Sequence, residues 1–168
     1  MKTHIASHGT GVQDRHALMW ATMPEELAKG AAYNAMHRAV GDVLAQRGFS
    51  VAEAAPEQDA PEAGTVILSA GLSERPAAVH METEEGKALA PAKRRRLFQA
   101  CSNRMLRLTV TMVDGTSGKL LYNGSAQEPY CAKATEKVRQ QLVSQLAEQA
   151  VEDLQTPSGE RLINKRKR

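Results

Sequence analysis

Cys101 and Cys131 are the two cysteines of the chain, and they lie symmetrically around the turn sequence at 114–118, Asp-Gly-Thr-Ser-Gly. If the flanking segments pair as an antiparallel hairpin around that turn, the two thiols meet across its open end. The spacing therefore predicts a disulfide that closes a loop of about 30 residues. A structural disulfide implies an oxidising compartment, whereas the alternative is a pair of reduced thiols in a cytosolic protein.

The positive charge of the chain is concentrated in two short clusters. Eight of the 22 basic side chains lie at residues 165–168 and in the cluster Lys93, Arg94, Arg95 and Arg96, which leaves 14 basic against 19 acidic side chains elsewhere. Such a cluster is a candidate contact for phosphate or an anionic head group, although a solvated surface is the commoner outcome. With aromatic residues at 4%, the chain lacks the base-stacking platform of nucleic-acid-binding proteins, so no nucleic-acid partner is expected.

The sequence contains no motif of a known catalytic or cofactor site. It has neither the Gly-x-Ser-x-Gly nor the His-Glu-x-x-His pattern. Gly118-Lys119 resembles the end of a phosphate-binding loop, but Val113 occupies the position of the required first glycine. His4 and His8 are four residues apart in a segment with no helix signal, which argues against a metal site. We therefore expect a protein that is not an enzyme and has neither a cofactor nor a metal.

Two amphipathic helices follow from periodicity and end signals. Thr22 and Glu25 resemble a capping box, an apolar stripe continues to Arg47, and Gly48 suits the left-handed position after a helix. A last helix is predicted over about 132–154, with apolar residues spaced by four: Val138, Leu142, Leu146, Ala150 and Leu154.

The clearest strand runs over 103–113, where apolar and polar residues alternate. Leu106, Leu108, Val110 and Met112 share one side, and Arg107, Thr109 and Thr111 share the other. This alternation predicts one buried and one solvent-exposed face, and it makes Arg107, Thr109 and Thr111 candidate partner contacts. Further strands are predicted near residue 18, over 65–72 and over 119–126, the last ending before Pro129.

The order of these elements predicts an α+β fold with two helices packed on one face of a roughly four-stranded, largely antiparallel sheet. The expected organisation is a flexible N-terminal arm at 1–15, a single domain at 16–156 and a basic disordered tail at 157–168. No segment approaches the roughly 20 apolar residues of a membrane-spanning helix. The first residues have no signal-peptide core, although a leader upstream of Met1 remains compatible with the sequence.

Several segments together resemble domain of unknown function 4136, a family of bacterial envelope proteins of which many are predicted lipoproteins. They are the Ala-Leu-Met-Trp-Ala run at 17–21, the helix end at 43–49 and the hairpin at 106–126. The hairpin follows the family rhythm of Val-Asp, turn, Gly-Lys, aromatic, x-Gly-Ser/Thr-Ala, with Tyr122 where tryptophan is common. The resemblance covers residues 16–152, but the chain departs from the family in its cysteine pair and its long basic connection at 73–100.

The resemblance implies a periplasmic protein of a Gram-negative bacterium. It is further compatible with an outer-membrane anchor through a lipid-modified cysteine upstream of Met1, since the chain itself lacks that cysteine. The family brings no catalytic residues.

The leading hypothesis is therefore a non-catalytic envelope accessory or binding protein. It would dock an envelope protein or lipid partner through the face of Arg107, Thr109 and Thr111 or through the basic cluster of residues 93–96. A module that binds a lipid or other amphiphile between helices and sheet is the first alternative. An uncharacterised enzyme with a site assembled from scattered residues is the second.

Overall fold

A computed structural model describes residues 2–13, 17–54, 62–77 and 101–164. Its strands are β1 Lys2–His8, β2 Ala17–Trp20, β3 Val51–Ala52, β4 Thr65–Pro76, β5 Asn103–Asp114, β6 Leu120–Cys131 and β7 Gly159–Asn164. Its helices are α1 Glu25–Ala28, α2 Ala31–Gln46 and α3 Glu136–Ala150. The strands form one sheet in the order β3-β2-β4-β5-β6-β1-β7.

The prediction of a roughly four-stranded sheet is wrong, because the described residues alone form a sheet of seven strands accompanied by three helices. The sheet is also mixed, since β2 runs parallel to both β3 and β4 while the other pairs are antiparallel. The α+β class is retained. The undercount has local causes: β1 and β7 are rich in polar residues, so neither has the apolar pattern of a core strand, and β3 is only two residues long.

Both ends of the chain differ from the expected arm and tail. β1 lies between β6 and β7 inside the sheet, and β7 continues the sheet beyond it. Thr3, Ile5 and Ser7 of β1 are buried. The two hydroxyl groups are accommodated because each is hydrogen-bonded: Thr3 donates to a Glu128 carboxylate oxygen at 2.6 Å, and Ser7 donates to Asp153 at 2.9 Å.

The β5–β6 hairpin extends further than its sequence suggests. Pro129 is predicted to end the second strand, but it pairs with Met105 inside the ladder. The described ladder between β1 and β6 ends at His4↔Gln127, so Pro129 lies where no N–H is needed to bond β1. The strand therefore continues to Cys131.

The predicted first helix is divided in two. Gly30 separates α1 from α2, and no side chain caps either N-terminus. The predicted C-terminal signal is present: Gly48 has a φ of +86°, and the Phe49 N–H bonds the Leu44 carbonyl at 3.0 Å. Within the described ranges, no helix combines the length and apolar content that crossing a bilayer would need.

The core lies between one face of the sheet and the layer formed by α2 and α3. Its centre is built from β5 residues Leu106, Leu108, Val110 and Met112, α2 residues Met36, Val40 and Leu44, and α3 residues Leu142 and Leu146. Tyr122 of β6 is completely buried there and donates its hydroxyl hydrogen to the Ala150 carbonyl at 2.6 Å. Burial raises the pKa of Tyr122 above its usual value, which keeps this donor protonated.

A polar cluster joins β1, the end of α3 and β7. The Asp153 carboxylate accepts hydrogen bonds from Ser7 at 2.9 Å, from Ser158 at 2.6 Å and from Arg161 at 2.8 Å. Burial alone would raise the pKa of Asp153, but the hydrogen bonds from Ser158, Arg161 and Ser7 outweigh it and hold the pKa below its ordinary value. Arg161 also bonds Glu152 at 2.7 Å. We call this group the Asp153 cluster.

Gly124 is the position where β6 approaches α3 most tightly. A methyl group there would collide with the Ala150 carbonyl and the Tyr122 ring, whereas one at Gly71 in β4 would meet nothing within 4 Å. Gly124→Ala should therefore lower the free energy of unfolding by about 2 kcal/mol or more. Gly71→Ala is the matched control and should change it by less than about 0.5 kcal/mol. Urea denaturation measures both, and equal effects would contradict the close approach.

The Asp153 cluster predicts a specific loss of stability in acid. Because the folded pKa of Asp153 lies below the unfolded value of about 3.9, its contribution is complete above that pH and is lost as the pH falls through the folded pKa. Asp153→Asn should therefore be less stable than the wild type by about 1 kcal/mol at pH 7. The difference should shrink as the pH falls below about 4. A difference that stays constant in urea denaturation across this range would be evidence against the lowered pKa.

Candidate functional site

The sheet face opposite α2 and α3 carries a continuous set of polar side chains, which we call the polar sheet face. Its members are Ser69 and Ser73 of β4, Arg107, Thr109 and Thr111 of β5, Asn123, Ser125 and Gln127 of β6, and His4 of β1. They alternate along each strand with residues of the core, so strand geometry directs them to the opposite side. Ladder register then aligns them in rows, for example Ser69↔Thr111↔Asn123.

Hydrogen bonds across β5 and β6 orient this face. Arg107 donates to the Ser125 hydroxyl at 3.2 Å, and Asn123 donates to the Thr111 hydroxyl at 3.1 Å. Ser125 is 5% exposed, whereas Arg107 is exposed to solvent beside it. The structure thus brings the three β5 residues that the sequence singles out onto one face. The Ser125 hydroxyl accepts from a guanidinium and the Thr111 hydroxyl from an amide, and neither donor group can act as a general base, so these two contacts activate no nucleophile.

The predicted disulfide is confirmed, because Cys101 and Cys131 are bonded with their Cα atoms 5.8 Å apart. The register differs from the symmetric one. The turn pairs Val113 with Leu120, and a bulge between Met112 and Val113 shifts the pairing by one further residue. Cys131 therefore faces Asn103 in the ladder, and the bond reaches diagonally to Cys101. The basic residues Lys93, Arg94, Arg95 and Arg96 lie outside the described residues.

Among the described residues, no three His, Cys, Asp or Glu side chains converge in a way that could hold a metal ion. Cys101 and Cys131 are engaged in their disulfide and are therefore unavailable as thiolate ligands. His4 approaches one carboxylate, that of Glu160, at 3.8 Å. This contact joins one imidazole to one exposed carboxylate.

A cleft that the sequence does not predict lies where β2 and β3 end beside α2. It has a volume of about 340 Å³ and is lined by Trp20, Ala21, Thr22, Met23, Ala28, Tyr33, Asn34, His37, Glu53 and Ala54. The carboxyl ends of parallel strands are a common place for ligand sites. One local signal was available: Tyr33 and His37 are four residues apart on α2 and therefore share a helix face.

Aromatic rings and one carboxylate dominate the cleft. The Trp20 and His37 rings stack with centroids 4.0 Å apart, and the Tyr33 ring lies 5.7 Å from that of His37. A Glu53 carboxylate oxygen is 3.4 Å from Nε2 of His37. Burial, together with the negative charge of Glu53, raises the pKa of the Tyr33 phenol.

The sequence matches no family model and no curated protein sequence. The fold, however, is similar to that of PelC from Paraburkholderia phytofirmans, solved as a dodecamer in two crystal forms. The TM-scores are 0.57 and 0.55 at 11% identity, and the match covers 94% of this chain and all of PelC. At this identity the similarity establishes a common fold.

A second solved structure has the same arrangement as part of a larger protein. It is a PDZ domain protein from Parabacteroides distasonis, with a TM-score of 0.52 at 9% identity. The match covers 96% of this chain and 38% of that protein. The fold therefore occurs both as a whole chain and as one portion of a longer one.

Removing the disulfide should destabilise the protein, because the bond closes a loop with a sequence separation of 30 residues. The Cys101→Ser and Cys131→Ser double variant should lose about 3 kcal/mol of unfolding free energy in urea denaturation without reductant. Wild-type protein measured with reductant should match the double variant. Equal stability of oxidised wild type and double variant would show that the bond does not constrain the unfolded chain.

Proposed function

We propose that the protein is a non-catalytic accessory subunit of the bacterial envelope that docks a protein partner through its polar sheet face. The observation that carries the proposal is the two-sided character of the sheet. One face packs against α2 and α3, and the other presents hydrogen-bonding side chains centred on Arg107, Thr109 and Thr111. The partner surface expected from this chemistry offers carboxylate and carbonyl acceptors to Arg107.

The disulfide supports the envelope location. Cytosolic thiols are kept reduced, so a disulfide that staples the β5–β6 hairpin fits an exported protein better. The resemblance to domain of unknown function 4136 also implies the envelope. We therefore place the protein, as part of this proposal, in the periplasm of a Gram-negative bacterium. A lipid-modified cysteine upstream of Met1 would supply an anchor in the outer membrane. The basic residues 93–96 are a second proposed contact, for an anionic head group or the partner itself.

Self-association is also part of the proposal. PelC, which shares the fold over its whole length, is a dodecamer. An accessory subunit that repeats around a larger assembly would present many copies of one docking face, which strengthens binding through avidity. The non-catalytic character is proposed because the two hydroxyls of the polar sheet face with hydrogen-bonded side-chain partners, Ser125 and Thr111, accept from groups that are not bases.

The docking face can be tested by reversing one charge. Arg107→Glu places a carboxylate opposite the expected acceptors and should reduce recovery of the partner about tenfold. Tagged protein would be expressed in the native host, cross-linked in intact cells and purified from the envelope fraction, and the cross-linked partner would be quantified by mass spectrometry. Acid quenching and alkylation of the same cells should find Cys101 and Cys131 oxidised.

Arg38→Glu is the matched control, because Arg38 is exposed on α2 and undergoes the same charge change on the helix side. It should leave recovery at the wild-type level. Equal recovery with both variants, or equal loss, would remove the polar sheet face from the proposal. Reduced thiols in the quenched cells would remove the envelope location independently of the docking result.

A further inference from the structure

The cleft beside α2 has the size and position of a small-molecule site. Its volume of about 340 Å³ lies at the lower end of the roughly 300–1,000 Å³ typical of ligand pockets. It opens at the carboxyl ends of the parallel strands β2 and β3, away from the polar sheet face described above. The two sites can therefore be occupied and tested independently.

The aromatic rings of Trp20 and Tyr33 and the imidazole of His37 form one wall of the cleft. Trp20 is 4% exposed and is held between the core and the His37 ring, with which it stacks at an interplanar angle of 25°. Tyr33 lies one helical turn before His37 and tilts toward it at 44°. Because α2 and β2 hold these rings in place, their faces form a preformed, electron-rich surface, which is the part of an aromatic ring that attracts cations.

The one fixed charge among the described residues that line the cleft is negative, because the His37 imidazole carries a charge only when it is protonated. Among the described residues that line it, Glu53 is the single carboxylate and no lysine or arginine is present. The Glu53 side chain is 76% exposed and reaches the cleft from the end of β3, where His37 is its neighbour at 3.4 Å. An anionic ligand would meet the Glu53 carboxylate and no lysine or arginine here, and a purely apolar one would leave Thr22, Asn34 and Glu53 desolvated.

We propose that this cleft binds an organic cation, an ammonium group that rests against the Tyr33 and His37 rings and pairs with the Glu53 carboxylate. Ring faces and a carboxylate attract the same charge, so their contributions reinforce each other. The ligand class is an alkylammonium or quaternary ammonium headgroup small enough to enter the cleft. Trp20 stacks against His37 and holds that ring in position.

The single tryptophan of the chain makes the site directly measurable, because all tryptophan emission comes from Trp20. Choline chloride titrated into the full chain, at ionic strength held constant with sodium chloride, should change this emission saturably with a dissociation constant on the order of 1 mM. The uncharged isostere 3,3-dimethyl-1-butanol should bind at least about fivefold more weakly. Ligand-observed NMR of the choline methyl groups provides a second readout that does not depend on fluorescence.

Three variants assign the contacts. Glu53→Gln keeps the shape of the side chain, removes its charge and should weaken choline binding about fivefold. Tyr33→Ala should weaken it by a similar factor, and circular dichroism would verify that its helix content is retained. The matched control Glu148→Gln removes an exposed carboxylate from α3 and should have no effect.

Two results would overturn the proposal. Equal binding of choline and its uncharged isostere would identify an apolar cleft without cation recognition. Absence of saturable binding in both fluorescence and NMR up to about 100 mM choline would show that the site does not bind ammonium compounds of this size.

Discussion

The register of β5 against β6 is the constraint on which the other features depend. Side chains alternate between faces, so a slip by one residue would move Leu106 and Leu108 out of the core and Arg107 into it. The bulge at Met112/Val113 and the disulfide at the open end of the hairpin bracket this ladder. β5 and β6 also form the centre to which the other strands are added, because β4 pairs with β5 on one side and β1 pairs with β6 on the other.

The same register explains why the helices occupy one side of the sheet. Gly124 lets α3 approach β6, and the buried Tyr122 hydroxyl bonds the Ala150 carbonyl near the helix end. With that side filled by apolar residues, the polar members of β4, β5 and β6 are directed to the opposite face. The proposed docking at the polar sheet face and the proposed cation binding in the cleft thus rest on two different features, the antiparallel centre and the parallel edge of one sheet.

Much of the centre of the molecule could be predicted from local patterns. The alternation over β5, the turn before β6, the cysteine spacing and the Gly48 helix end each depend on residues close in sequence, and each is present. The terminal strands could not be predicted in this way. Thr3 is compatible with the buried side of β1 because it bonds Glu128, which is 125 residues away. The cleft could not be predicted from local patterns either, because Trp20, His37 and Glu53 come from three separate elements.

By itself, the sequence determined the hairpin, its disulfide and the identity of the two long helices, because short-range periodicity and turn chemistry decide these features. Only the tertiary structure decided that seven strands of the described residues form the sheet, that the polar strands β1 and β7 pair within it and at its edge, and that three rings meet a carboxylate at its parallel edge. The physical reason is that a polar strand is stabilised by partners it meets only after folding. Ser7 and Asp153 provide the clearest case, since they form one hydrogen bond across a separation of 146 residues.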